Sequence, residues 1–180
     1  MKTLMILSMA MALLASPSWG YKQEDLDKLA ATNTCQECDL AGADLHLAYL
    51  REANLTKANL TKANLEKAIL TKANLAGADL RGTVLGVAFL PLADLREADL
   101  ERVDLSHASL RGASLRGANL ERANLEKADL AGADLAGADL RGTVLTGAVL
   151  RDAKIDFADF TKAKFCNTVM PDGQRIFKDC

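Results

Sequence analysis

The sequence predicts an all-β solenoid, a coil of short extended segments joined by regular bends. From Leu40 to Leu150 every fifth residue is Leu, and the residue two positions before each Leu is nearly always small. In addition, aromatic residues make up only 4% of the chain, although apolar residues make up 49%. The core must therefore be built in thin layers of Leu and Ala.

A five-residue period fits neither a regular helix nor a straight strand. On an α-helix five residues turn through about 500°, so the Leu side chains would spread around the whole surface. In a straight strand an odd period would send successive Leu side chains to opposite faces, although the small residue and the Leu of one repeat share a face. A bend after each extended segment reconciles these facts. Gly residues such as Gly132 stand at the predicted bend, where unusual backbone angles cost Gly little.

The first twenty residues predict a secretory signal peptide. Lys2 precedes an apolar run from Leu4 to Ala15, and the small residues Ser18 and Gly20 suit cleavage after Gly20. The run of about 12 residues is too short to cross a bilayer of roughly 30 Å. We therefore expect an exported protein, periplasmic or extracellular, without a transmembrane segment in the mature chain. An N-terminal core helix is the alternative.

Residues 21–37 predict an N-terminal cap that consists of a short helix and an entry turn containing cysteine. Within 22–32, acidic residues occupy the first turn, and Leu26, Leu29 and Ala30 share one face. We expect this amphipathic helix to cover the first coil.

The repeat ends after residue 167, and residues 168–180 predict a C-terminal cap. The segment Met170-Pro171-Asp172-Gly173 is typical of a tight turn. Residues 175–177 could then form a short strand or cover.

The repeats at 38–167 resemble the pentapeptide repeat family. Their unit is Ala, then Asp or Asn, then Leu and two variable residues, as in Ala53-Asn54-Leu55. The resemblance implies a right-handed, four-sided (quadrilateral) parallel β-helix with four repeats per coil, whose small residue and Leu point inwards. An eleven-residue segment that begins at Leu75 recurs at Leu135, 60 residues or three such coils later. Small inward residues are replaced by Thr83, Val103 and Thr143, which would fit a slightly wider coil.

Four cysteines lie at the two ends of the repeats. With twenty residues per coil, Cys38 and Cys166 are about six coils apart, far beyond the Cα separation of roughly 7 Å that a disulfide allows. The expected disulfides are therefore Cys35–Cys38 and Cys166–Cys180, which suit an exported chain. A thiol-redox function of Cys35 and Cys38 is an alternative.

Composition and motifs point away from an enzyme. The 22 basic and 24 acidic residues nearly balance, which argues against a nucleic-acid partner. His46 and His107 occupy outward positions without partners at metal-ligand or triad spacing, so we expect no catalytic residues, cofactor or metal. Some cytoplasmic members of the resembled family mimic DNA and bind topoisomerases, but that mechanism needs an acidic rod, and no face of this coil is strongly acidic.

One feature predicts a binding surface. Residues twenty positions apart lie above one another in successive coils and form a column. In one column, the outward Asp or Asn is replaced by apolar Tyr49, Ile69 and Phe89 in three successive coils. We call these three residues, together with nearby Leu47, Val87 and Leu92, the apolar stripe; Val84 lies on the adjoining face. Exposed apolar patches of this kind often mark partner sites. The prediction is a non-enzymatic binding or structural rod with an unknown protein partner or self-association through this stripe. Cover by the N-terminal helix, or simple β propensity, is the alternative explanation of these residues.

Overall fold

The computed structural model describes residues 20–180, so the predicted signal peptide lies outside the described residues except for Gly20. The regular elements are helix α1 (Gln23–Thr32), strand β1 (Thr168–Val169) and strand β2 (Arg175–Ile176). Between them, single parallel β-bridges join residues twenty positions apart, from Thr34 with Asn54 to Val149 with Val169. Each coil therefore contains twenty residues, or four repeats.

The repeats in the interior of the rod are held by the same set of backbone hydrogen bonds. The Leu60 amide donates to the carbonyl of Asp79 in the next coil (2.8 Å), and the Asp79 amide donates back to Ala58 (3.0 Å). The Ala63 amide closes the bend by donating to Leu60 (3.0 Å). The expected bend thus follows each short extended segment, and neighbouring coils satisfy each other's amides.

The second variable residue of each repeat occupies the corner of the coil with a positive φ. Gly132 has φ +68°, and the same left-handed conformation recurs at non-glycine corners such as Lys62 (φ +57°) and Val87 (φ +59°). For an L-residue this conformation costs about 1–2 kcal/mol. The corner is therefore a conformational requirement of the coil that glycine satisfies without that cost.

The inward residues form one continuous core. Leu from 40 to 150 and most of the small residues are buried. The two inward threonines are buried with their hydroxyls hydrogen-bonded. Thr83 and Thr143 are fully buried, and their hydroxyls donate to the carbonyls of Leu60 (2.7 Å) and Leu120 (2.8 Å). A hydrogen bond to the preceding coil therefore accommodates each polar side chain.

Helix α1 closes the N-terminal end of the core, as its amphipathic pattern predicts. Leu29 is fully buried, and Leu26 packs against the core. The Asp25 carboxylate accepts a hydrogen bond from the Asp39 amide (2.8 Å), and the helix ends at Asn33 in a left-handed conformation (φ +55°). These contacts attach the cap to the first coil.

The C-terminal cap is a hairpin in which β1 and β2 pair antiparallel. Gly173 (φ +83°) lies in the predicted turn. The cap leaves the inward side chains of the last coil, Ile155, Phe160 and Phe165, only partly buried. The two ends of the rod are thus covered to different extents. Within residues 20–180, no helix has the length and apolar character needed to span a membrane.

Candidate interaction surface

The central residues of the apolar stripe stack as the five-residue pattern predicts. Tyr49 forms a parallel bridge with Ile69, and Ile69 forms one with Phe89. Their side chains are 49%, 37% and 48% exposed, respectively. Helix α1 therefore does not cover them, which removes one alternative explanation of their apolar character.

The corners beside these residues are apolar as well. Leu47, Val87 and Leu92 are 60%, 52% and 57% exposed, and all three have φ +59°. Each residue combines exposed apolar surface with a strained backbone, and Val87 is also β-branched, which makes a left-handed conformation unusual. The same backbone conformation occurs at polar corners such as Lys62, so the exposed apolar surface is what distinguishes these three corners. We therefore regard the corners as part of the candidate surface.

The apolar character is most complete in the coil that contains Phe89. The segment 84–92 has no polar side chain. Gly86 and Pro91 occupy positions that are often charged in other repeats, and Val84 extends the surface onto the adjoining face, where it is 39% exposed. We call residues 84–92, which cross the stripe in this coil, the uncharged band.

Charged residues border the stripe one coil below the band. Lys67 donates to the Glu66 carboxylate (Nζ–Oε1 2.9 Å), which lowers the pKa of Glu66. His46 lies 3.9 Å from the same carboxylate. Lys72, on the opposite corner, has no ion pair within residues 20–180. The border is thus polar and partly paired, as is typical of the rim of an interface.

The outward Asp and Asn residues of the repeats form hydrogen bonds within the rod. Asp79 accepts a hydrogen bond from the Arg81 amide (3.2 Å) and from the Arg81 guanidinium (Nε–Oδ1 2.9 Å). The guanidinium bond is the main cause of the lowered pKa of Asp79. Asn side chains bridge coils, as when Asn59 donates to Asp39 (2.9 Å). These polar groups therefore stabilise bends and neighbouring coils.

The structure pairs Cys35 with Cys38, whose Cα atoms are 5.2 Å apart. The Lys28 amine lies 3.9 Å from the Cys38 sulfur, and a carboxylate oxygen of Asp25 lies within 4.8 Å of both sulfurs. The sequence pattern did not indicate this neighbour, because Asp25 reaches the cysteines only when α1 folds back on the coil. With both sulfurs in a disulfide, neither offers the thiolate that a metal ion would need.

The second pair is Cys166 with Cys180, at a Cα separation of 4.9 Å. It ties Cys180 to the last coil.

The structure also reveals an apolar surface at this end that the sequence did not single out. Phe157 is 96% exposed and Phe177 is 61% exposed, and Ile155, Met170 and Ile176 help to line a nearby cleft. The sequence does contain a sign of this surface, because Phe157 is an apolar residue at a corner position that is usually glycine or charged.

Comparison with known families finds a match to the model described as pentapeptide repeats. The matched residues are 34–66, 48–86, 93–130 and 128–167. The matches leave out 87–92, which belongs to the uncharged band. The resemblance inferred from the repeat unit is therefore confirmed.

Three solved structures illustrate what the chain is similar to. HetL, a pentapeptide repeat protein involved in heterocyst differentiation regulation from the cyanobacterium Nostoc sp. strain PCC 7120, is 40% identical, with a TM-score of 0.78. The match covers 79% of this chain and 66% of HetL, so the chain spans slightly less than two thirds of that protein.

The other two structures align less closely in space. Rfr23 from the cyanobacterium Cyanothece 51142 is 28% identical, with a TM-score of 0.44, and the match covers 82% of this chain and 97% of the Rfr23 chain. A pentapeptide repeat protein from the thylakoid lumen of Arabidopsis thaliana is 33% identical over 49% of this chain and 66% of its own, with a TM-score of 0.41. No curated protein matches the chain.

Proposed function

Because the chain belongs to the pentapeptide repeat family, we propose that it is an exported, non-enzymatic rod that binds a protein partner through the apolar stripe. The rod takes the right-handed, four-sided form that the family resemblance implies. The similarity to HetL supports this architecture.

The observation that carries the proposal is a row of exposed apolar residues at positions where most other repeats have Asp or Asn. Tyr49, Ile69 and Phe89 stack in successive coils and remain exposed. Three apolar corners beside them, Leu47, Val87 and Leu92, add further exposed apolar surface. Neither feature stabilises the isolated chain, and both are accounted for if a partner covers the surface.

Affinity capture from the bacterial envelope tests the binding role. The wild-type protein, as isolated from cells, is compared with a triple variant carrying Tyr49→Asn, Ile69→Asn and Phe89→Asn. Val149→Asn is the matched control, because Val149 occupies the same column above the stripe. The wild type and the control should retain the same captured protein, and the triple variant should lose it while keeping its circular dichroism spectrum. Equal capture by all three proteins would exclude the stripe as the binding surface.

Export is tested by the N-terminus of the protein isolated from cells. We expect the isolated chain to begin near Tyr21 and to be recovered in the periplasm or the medium. Recovery in the cytoplasm with Met1 still present would contradict export.

A thiol-redox role for Cys35 and Cys38 is the second candidate function. The Lys28 amine beside the Cys38 sulfur favours it, because a nearby cation stabilises a thiolate. Burial of both sulfurs opposes it. Thiol counting on protein trapped with a maleimide at harvest separates the two functions. A structural pair leaves no free thiol at these positions, whereas a redox pair is recovered partly reduced.

A further inference from the structure

We propose that the apolar stripe binds a second copy of this chain, in an antiparallel dimer whose two-fold axis passes beside Phe89. This inference rests on the proposed binding role of the stripe and names its occupant. In the dimer, the uncharged band of one copy lies against the same band of the other.

The size of the surface suits such a contact. A fully exposed aromatic side chain presents about 150–250 Å², and aliphatic ones somewhat less. With the exposed fractions of the stripe, the apolar surface amounts to roughly 550 Å². A stable interface buries about 800 Å² on each partner, so the stripe and its polar rim together provide what a dimer of flat faces requires.

Symmetry determines which residues meet. A two-fold axis that lies in the interface and crosses the rods at right angles makes the two rods antiparallel. Each column of outward residues then faces the same column of the second copy, in reverse order. With Phe89 opposite Phe89 of the second copy, the band 84–92 meets its own equivalent. Coils below the band then face coils above it.

This register places no two like-charged carboxylates or amines opposite each other. Below the band the border carries charge, whereas the positions above it that face Glu66, Lys67 and Lys72 are small or neutral. Arg111 and Asp129, also above the band, form an ion pair with each other (2.9 Å). Tyr49, whose phenol can donate a hydrogen bond, faces the Asp129 carboxylate. The facing pairs at the border are Glu66 with Ser106, Lys67 with His107, and Lys72 with Gly112.

Other two-fold arrangements of the same faces oppose like charges. An axis beside Ile69 would place Glu66, Lys67 and Lys72 each against its own copy. Parallel rods, related by an axis along the rod, would place Lys67 against Lys72 of the second copy. Like-charge juxtaposition is strongly unfavourable in an interface, so charge favours the antiparallel register on Phe89.

Sedimentation measurements over a range of protein concentrations test the dimer. Wild-type protein and Val149→Asn should show the same monomer–dimer equilibrium. Phe89→Asn should weaken dimerisation by about tenfold or more, because central aromatic residues dominate interface affinity. A wild type that stays monomeric at all concentrations overturns the proposal. If that monomer still captures another protein through the stripe, the proposed function stands and only the second copy is rejected.

Cross-linking with a short bis-maleimide tests the register. Val87 lies in the band and faces its own equivalent across packed faces that are roughly 10 Å apart. Leu47 is on the same corner, two coils lower, and would be separated from its equivalent by about four further coils, or about 19 Å along the rod. Val87→Cys should therefore give a cross-linked dimer and Leu47→Cys should not. Equal yields from the two variants, or a higher yield from Leu47→Cys, would refute the antiparallel register.

Discussion

The left-handed corner makes the stability of this rod depend on glycine in a way that one pair of substitutions can measure. Gly132 occupies a corner with φ +68°, and a Cβ atom added there would meet nothing within 4 Å. Gly132→Ala therefore changes backbone conformational energy without introducing a clash. Gly86 is the matched control, because its φ lies outside the left-handed region.

The expected magnitudes follow from the two environments. Alanine in a left-handed conformation costs about 1–2 kcal/mol, and the lower entropy of the unfolded alanine chain offsets about 0.4–1 kcal/mol of that cost. Gly132→Ala should therefore lower the free energy of unfolding by about 1 kcal/mol. At Gly86 the nearest atom to an added Cβ is the Ser106 Oγ at 3.7 Å, an ordinary contact. Gly86→Ala should raise the free energy of unfolding by about 0.4–1 kcal/mol.

Urea denaturation at a protein concentration low enough to keep the chain monomeric provides the assay, since Gly86 lies in the proposed dimer contact. The midpoint should shift in opposite directions for the two variants while the slope m stays constant, since the surface exposed on unfolding is unchanged. A Gly132→Ala variant as stable as the wild type would refute the reasoning. It would mean that the left-handed corner imposes no strain on a residue with a side chain.

Three further outcomes are expected. Thr83→Val should lower the free energy of unfolding by about 0.5–1.5 kcal/mol in the same assay, because it removes the 2.7 Å hydroxyl hydrogen bond to the neighbouring coil; an unchanged midpoint would contradict that role. Replacing Cys166 and Cys180 by Ser should speed hydrogen exchange in the C-terminal hairpin while leaving the central coils protected, because stability in a solenoid is largely local; uniform loss of protection would contradict this. The pKa of Asp79 is lowered in the folded state, chiefly by its hydrogen bond from Arg81, so the stabilisation is present above about pH 4 and is lost as the pH falls through the folded pKa. Arg81→Gln should therefore reduce the loss of stability on acidification, as measured by thermal melts between pH 6 and pH 2; an identical acid response in both proteins would contradict the ion pair.

The periodicity of the sequence was sufficient to predict which side chains are inside. Because the repeat never slips between Leu40 and Leu150, each residue keeps one role, and the buried and exposed positions follow directly. The same regularity predicted that Tyr49, Ile69 and Phe89 stack. The grouping of the cysteines into one close pair at each end followed too, since the length of the rod separates the two ends.

The repeat pattern could not predict contacts that depend on how the ends fold back. Asp25 meets the cysteines because α1 lies across the first coil, and no spacing in the sequence indicates that approach. The hydroxyl bonds of Thr83 and Thr143 likewise depend on the distance between neighbouring coils.

The sequence by itself determined the five-residue period, the assignment of each side chain to the inside or the outside, and the column that carries the stripe. It could do so because the constraints are local and recur in every repeat. The tertiary structure decided that α1 leaves the stripe exposed, that its corners Leu47, Val87 and Leu92 are strained, and that Phe157 remains uncovered at the other end. Those properties arise from coil stacking and from the two caps, which bring together residues that are distant along the chain.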